Sequence, residues 1–387
     1  MKQFDKKIIR KNTNCTKYDF MKNYFGTNDL QPLWIADMDF ATPKVITKAM
    51  QKRLKHPIYA YTKPNDKFYK SIINWMRIQH NYKIKKEDIL TSTSVVASLS
   101  ACIEAFSNIG DEIIVQPPIY PPFFSVVTKN NRKLVSNPLK KINNEYFIDF
   151  KDLKNKITKK TKILLLCSPH NPSGRVWDKK ELKKLVKICK KNNIIIVSDE
   201  IHADLVFKKK HIPIAKISKD AANITITLNS CGKSFNLPGI TMSYVIAQNK
   251  ILREKLQNIL TARVLHETNI FINEIYNSAY SKKGKKWLNK LVKYLQKNKK
   301  LTQKHFRNTK IKVSKTQATY LILLDFTNIN LPHKQIRNKL INEAKVALND
   351  GVSFGKDGYK HFRLNIATNK KELKKALNKI SDTFIST

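Results

Sequence analysis

Leu228–Asn229–Ser230–Cys231–Gly232–Lys233–Ser234–Phe235–Asn236 follows a short β-like run, Ile224–Leu228. Two strings upstream share this plan. Cys167–Ser168–Pro169–His170–Asn171–Pro172–Ser173–Gly174 leaves the apolar run Ile163–Cys167, and Val197–Ser198–Asp199–Glu200–Ile201–His202 closes the run Ile194–Ser198. Asn171, Asp199 and Lys233 therefore each stand just beyond a short strand. Ile163–Cys167 and Ile194–Val197 are continuously apolar, which predicts strands buried on both faces. Ile224–Leu228 alternates with Thr225 and Thr227, so its pattern leaves its burial open. Further strands are expected at Asp88–Thr93, Glu112–Val115 and Tyr244–Ala247, with helices at Val95–Phe106 and about Lys179–Lys191. Alternating strands and helices predict an α/β fold on a mostly parallel sheet. Ligands of such sheets bind beyond the carboxyl ends of the strands, where these three side chains would converge.

After about Lys250 the pattern turns helical, with a long amphipathic stretch through Trp287–Leu301. Ile311–Val313, Thr319–Asp325, a helix near His333–Ala344, an Asn349–Asp350–Gly351 turn and Phe362–Ile366 then read as a smaller α+β unit. The expected division is an arm over 1–45 joined to the small domain, a large domain over 46–285 and a small domain over 286–387. A chain of 387 residues suits that plan. Its apolar runs are too short to span a bilayer, and no apolar segment follows the charged amino terminus, so neither membrane insertion nor a signal peptide is expected. Five scattered cysteines without metal-ligand spacing fit reduced thiols in the cytoplasm, and no metal site is expected. The net charge of +45 raises nucleic-acid binding as a function class. Its lysines are spread along the whole chain among abundant asparagine and isoleucine, which reads as compositional drift, and no specific nucleic-acid partner is expected.

An asparagine, an aspartate and a lysine in this order are what an enzyme needs to hold pyridoxal 5'-phosphate (PLP) by its phenolate oxygen, ring nitrogen and aldehyde. Lys233 can form a Schiff base and later move a proton. Asp199 can stay ionised beside a protonated pyridine nitrogen and make the ring an electron sink. Asn171 can donate to the phenolate oxygen, although Asn-Pro is also a common turn. His202 can reach the same oxygen or serve as a structural histidine. Val95 and Val96 open a helix whose free N–H groups suit a phosphate, and Ser230 adds a hydroxyl donor. Tyr120 can stack on the ring or pack in the core. Arg363, between apolar neighbours on an expected strand, can clamp an α-carboxylate through two parallel hydrogen bonds.

With these residues assembled, the chain resembles a fold-type I PLP enzyme of the class I/II aminotransferase superfamily, and most of all its cystathionine β-lyase-like branch. The resemblance runs nearly end to end, through Pro32–Phe40, His56–Tyr61, Gln116–Phe123, Pro169–Trp177, Ser198–Leu205, Lys233–Pro238 and Arg363–Ala367. The Trp34–Phe40 string and histidine at position 202 point to this branch. The resemblance implies a mostly parallel seven-stranded sheet, a Schiff-base role for Lys233, and ring contacts from Asp199, Asn171 and Tyr120. It also implies a substrate clamp at Arg363, closure of the backbone near Ala36 over the substrate, and a homodimer in which Tyr61 reaches the neighbouring subunit's phosphate. The chain departs from the family pattern at Ser94, Ala60 and Ala318, where glycine is usual, and at Gly232, where serine is usual. A side chain at a position needing positive φ would cost about 1 kcal/mol or more.

The resemblance implies β-elimination from an amino acid carrying a sulfur leaving group, giving a thiol, pyruvate and ammonia. An aminotransferase would use the same residues, so residue chemistry alone leaves both readings open. A regulatory or interaction protein on the same fold is the reading from another class, and the intact set of cofactor-contacting side chains argues against it.

Overall fold

The computed structural model describes residues 2–385. Its main sheet contains β1 (Ile89–Ser92), β2 (Glu112–Val115), β3 (Lys133–Ser136), β4 (Thr161–Cys167), β5 (Ile195–Asp199), β6 (Thr225–Asn229) and β7 (Ser243–Ile246). Their spatial order is β1-β7-β6-β5-β4-β2-β3. Strands β6, β5, β4, β2 and β3 run parallel, and β7 is antiparallel to both of its neighbours. This is the expected α/β architecture on a mostly parallel seven-stranded sheet.

Burial on both faces follows from the strand sequences. In β4, Ile163 and Leu165 face one apolar layer while Leu164 and Leu166 face another. The first layer includes helix α1 (Val95–Phe106), and the second includes helix α2 (Lys179–Lys191). Asp178 and Glu181 start α2 through reciprocal side-chain to backbone bonds of 2.9 and 2.8 Å. The threonines of β6 do not mark an exposed face: Thr225 and Thr227 are buried and their hydroxyls lack partners. Alternation there separates apolar from weakly polar packing and carries no information about solvent. Strand β3, Lys-Leu-Val-Ser, offers no continuous apolar run. It lies at the sheet edge, half-exposed, and sequence pattern did not reveal it.

Beyond the sheet, α3 (Lys282–His305) and α4 (Lys370–Phe384) pack their apolar faces on an antiparallel sheet. That sheet has the order β8 (Lys312–Val313), β9 (Leu321–Asp325), β11 (His361–Asn365) and β10 (Asn349–Asp350). Asn349 and Asp350 were expected in a turn. They pair with Arg363 and Phe362 instead, and the turn begins at Gly351. Gln31–Pro32 pairs in parallel with Val346–Ala347, which ties the amino-terminal arm to this part of the molecule.

Strain does not fall where the missing glycines suggested. Ser94 is extended, with φ −159°, and neither Ala60 nor Ala318 has positive φ. The left-handed residue is the neighbouring Thr319, at φ +70°. Its N–H donates to the Leu205 carbonyl at 2.7 Å, and its hydroxyl accepts from Leu321 N–H at 3.0 Å. Gly174 does need its freedom. At φ +68°, a Cβ would lie 2.4 Å from Thr316 Cγ2 and 2.8 Å from the Ala318 carbonyl oxygen. The Gly174 carbonyl also accepts from the N–H groups of Gln317 and Ala318 at 2.8 and 2.9 Å, locking the loop that carries Asn171. Gly174→Ala should therefore destabilise the protein by about 1–3 kcal/mol. Urea titration should give a lower midpoint with an unchanged slope.

Candidate active site

Strand register brings the expected residues together. Cys167, at the end of β4, pairs with Asp199, at the end of β5, and Asp199 pairs with Leu228 in β6. Asp199 at the end of its strand, and Asn171 and Lys233 in the segments leaving the two neighbouring strands, line one pocket. On the other side, β7 enters beside the end of β1 through the Ser243–Ser92 pair. That antiparallel step places Ile240–Met242 against Ser94, Val95 and Val96 in the same pocket. Tyr120, Ala36, His202 and Ser230 also line it.

Lys233 Nζ donates to the Ala36 carbonyl at 2.7 Å, and Tyr320 OH donates to the same oxygen at 2.9 Å. Burial lowers the Lys233 amine to about 8; Asp37 and Asp199 oppose that fall and Arg363 adds to it. A substantial fraction is therefore neutral near physiological pH, as a nucleophile and base must be. The backbone around Ala36 is a strap fixed from several sides. Asn365 Nδ2 donates to the carbonyls of Ile35 and Asp37, each at 2.6 Å. Asn236 accepts from Met38 N–H at 3.0 Å and donates to the Phe40 carbonyl at 2.7 Å.

Arg363 is buried without an ion-pair partner among the described residues. It donates to Asn171 Oδ1 at 3.0 Å, Asn349 Oδ1 at 2.5 Å and the Trp34 carbonyl at 3.1 Å, over the Phe354 ring at 4.9 Å. Its Nε is buried with no partner. Burial lowers the guanidinium to about 10, still charged at neutral pH. A buried cation held only by neutral acceptors is suited to an incoming carboxylate. A guanidinium only donates, so Asn171 must turn Oδ1 toward Arg363, leaving Nδ2 as the donor available to a ligand.

Asp199 is buried and has no ion pair among the described residues; Oδ1 accepts from Ile201 N–H at 3.1 Å. Burial raises its carboxyl to about 6. A protonated ring nitrogen would supply the missing charge. Burial, together with the charges of Lys233 and Arg363, lowers His202 to about 3. The imidazole is thus neutral at pH 7, and its Nδ1 has no partner. Ser94 Oγ caps α1 by accepting from Ala97 N–H at 3.1 Å, so Val95 and Val96 keep first-turn N–H groups free of helical partners. These groups together fit a flat cationic heterocycle bearing an aldehyde and a phosphate.

Two expected site residues behave differently. Ser230 lines the pocket, but its hydroxyl donates to the Met242 carbonyl at 2.8 Å and accepts from Gly232 N–H at 3.1 Å. Its proton is therefore already used within the loop. Tyr61 is fully exposed outside the pocket, in a neighbouring surface hollow. Ile240 and Thr241 line both hollow and pocket, so Tyr61 lies across that segment from its own chain's site. Sequence reasoning missed Asn349, Tyr320 and Asp37. The Thr319–Tyr320 and Trp34–Phe40 strings were visible, but only folding shows which of their atoms face Lys233 and Arg363.

The family model for class I and II aminotransferases matches residues 29–380. The chain is 38% identical over 381 residues to cystathionine β-lyase PatB of Bacillus subtilis, covering 97% of this chain and 98% of that protein. It is 32% identical over 386 residues to protein MalY of Escherichia coli, covering 97% of each. A PLP-bound putative aminotransferase from Clostridium difficile superposes with a TM-score of 0.96 at 39% identity, over 98% of this chain and 99% of that one. Cystalysin from Treponema denticola, which contains a pyridoxal 5'-phosphate cofactor, gives 0.95 at 31% identity, over 98% of both chains. A half-buried lysine with a buried aspartate and asparagine beyond adjacent parallel strands, and near full-length similarity on both counts, establish that the chain belongs to the class I and II aminotransferase family, in its cystathionine β-lyase-like branch.

Proposed function

We propose that the protein is a PLP-dependent carbon–sulfur β-lyase that cleaves cystathionine or related cysteine S-conjugates to a thiol, pyruvate and ammonia. The observation that carries this reading is the buried Arg363, a cation with no ion-pair partner among the described residues, bonded to Asn171, which lines the pocket of Lys233, and close enough for its charge to act on that amine. Such a pair suits an α-amino acid: the carboxylate goes to Arg363 and the α-carbon to Lys233. The similarity to PatB, named a cystathionine β-lyase, favours elimination over amino-group transfer.

Bound in the pocket, the cofactor supplies an aldehyde that condenses with amines and a pyridine ring that accepts the electron pair left when the α-proton departs. Lys233 takes that proton on Nζ. The β-carbon–sulfur bond then breaks and its electron pair leaves on sulfur as a thiolate. The three-carbon enamine acid released takes up water to give pyruvate and ammonia. Asp199 would hold the proton of the ring nitrogen, Asn171 Nδ2 would donate to the phenolate oxygen, and Tyr120 would offer its ring for stacking. His202, neutral and unpaired at Nδ1, would offer a further polar contact to the phenolate oxygen. Val95 and Val96 N–H groups would receive the phosphate, with the Ser230 hydroxyl holding its own loop. Arg363 fixes the carboxylate so that the α-hydrogen faces Lys233, and the Ala36 strap covers the substrate from water.

The reading includes a homodimer with shared sites. Tyr61 is wholly exposed amid Leu54, Ile58 and Tyr59, which are also exposed, so this stretch is suited to meeting a second copy. It further includes the division into a 1–45 arm, a 46–285 large domain and a 286–387 small domain, with the last boundary falling inside the first turns of α3. Among the described residues no helix is long and apolar enough to cross a membrane. Five free cysteines, four of them buried, fit a cytoplasmic setting.

Three outcomes test the reading. Purified protein given PLP and cystathionine should release pyruvate without any keto acid, and Lys233→Ala should abolish this; faster amino transfer to a keto acid would replace the lyase reading with a transaminase. Arg363→Ala should lower kcat/KM by the equivalent of about 2–5 kcal/mol, since the substrate carboxylate loses a desolvated partner. Mixing inactive Tyr61→Phe and Lys233→Ala subunits should recover part of the activity, because hybrid dimers then carry one intact site. Verified hybrids that stay inactive, while Tyr61→Phe alone is impaired, would show unshared sites.

A further inference from the structure

A compact charge cluster lies directly behind the strap that touches Lys233. Arg10 meets Asp37 with two hydrogen bonds, Nη1 to Oδ1 at 3.0 Å and Nη2 to Oδ2 at 2.6 Å. Arg10 Nη1 also reaches Asp39 Oδ1 at 2.7 Å and the Met38 carbonyl at 3.2 Å. Lys17, with no solvent exposure, places Nζ 3.0 Å from Asp39 and 3.4 Å from Asp37. The cluster thus joins two cations from the first nineteen residues to two anions of the strap. Lys17 is buried and the other three groups are half-buried, and the cost of taking these charges from water is offset by their close mutual pairing. Their placement points to a role beyond holding the chain: Ala36, whose carbonyl accepts from Lys233, is covalently next to Asp37.

We propose that Arg10 and Asp37 are positioning residues for the reaction: their ion pair holds the strap against Lys233 and sets the net charge that its amine faces. The proposal deepens the lyase reading and rests on Lys233 as the reactive amine. The groups facing Lys233 are Asp37, Asp199, Arg363 and His202. Those facing Asp37 are Arg10, Lys17, Asp39, Tyr18 and Tyr320. Burial acts to raise the Asp37 carboxyl, but the hydrogen bond to Arg10 and the charges of Lys17 and Arg10 outweigh it and hold it below the ordinary aspartate value. Asp37 therefore stays ionised and opposes the effect of burial on Lys233. Arg10 bonds to Asp37 and Lys233 bonds to the adjacent Ala36 carbonyl, so the guanidinium acts on the amine through the carboxylate it neutralises.

This arrangement gives a signature that mere support of the strap would not. Competitive acetylation of the full-length, cofactor-free protein by trace acetic anhydride, followed on the Lys233 peptide by mass spectrometry, yields the pH midpoint of that amine. The wild-type midpoint is expected near 8. Asp37→Asn removes an anion and leaves Arg10 and Lys17 in excess, so the midpoint should fall by about half a pH unit or more. Arg10→Gln removes a cation and leaves Asp37 less neutralised, so the midpoint should rise. Arg10→Lys keeps the charge and should stay near wild type. Loosening of the strap alone would shift Asp37→Asn and Arg10→Gln in the same direction, because both break the Arg10–Asp37 pair that ties the strap to the arm. Shifts of the same sign, or none in folded variants, overturn the proposal. If Asp37→Asn does not fold, the arginine variants decide: a midpoint for Arg10→Gln at or below that of Arg10→Lys overturns it. The lyase reading is judged apart, by pyruvate release. An inactive protein with opposite shifts defeats that reading alone, and an active lyase with parallel shifts defeats this one alone.

Discussion

In-register parallel pairing of β4, β5 and β6 is the constraint on which the site depends. Each strand is buried on both faces, so a slip of one residue would exchange its two packed faces and disturb both apolar layers. Register is therefore held by the core, and the polar loops inherit it. Cys167 opposite Asp199, and Asp199 opposite Leu228, fix where Asn171, Asp199 and Lys233 emerge. The antiparallel β7 completes the arrangement by bringing Ile240–Met242 back to the amino end of α1.

The pocket built on that edge keeps its charges apart. Arg363 is held by Asn171, Asn349 and Trp34, all neutral acceptors, and Asp199 by a single backbone N–H. Desolvation leaves its mark on both, as well as on Lys233 and His202, and in every case it disfavours the charged form. Neutralising these groups with one another would remove those shifts and also the reason for a ligand to bind. A ligand that brings a carboxylate to Arg363 and a cationic ring to Asp199 relieves both at once. The arm cluster of Arg10, Lys17, Asp37 and Asp39 is the contrasting case, with every charge paired inside the protein. The strap between the two regions passes from one regime to the other within a few residues.

Much of this was legible in the chain. Continuous apolar runs marked β4 and β5 because a strand buried on both faces has no polar positions to spare. The Glu112–Val115 strand and the Val95–Phe106 helix were placed to the residue, and the helix expected at about Lys179–Lys191 spans those residues, since apolar periodicity is a local signal. Lys233, Asp199 and Asn171 were identifiable because each combines an unusual neighbourhood with a place just after a strand. Resemblance to a known branch supplied the chemistry that spacing could not.

What needed the tertiary structure was every property set by partners distant in sequence. Asn349 reads as a turn residue until β10 pairs with β11 and its side chain meets Arg363. The Ser230 hydroxyl reads as a free donor until the Met242 carbonyl takes its proton. The strain expected at Ala318 proved to sit on Thr319, where contacts with Leu205 and Leu321 hold it. Asp37 became a neighbour of the Lys233 amine only when the chain around Ala36 folded against it. Sequence determined which groups this protein carries and which strands deliver them, because those depend on local pattern. Folding decided which of them are paired, strained or left without a partner, because that depends on what the rest of the chain places beside them.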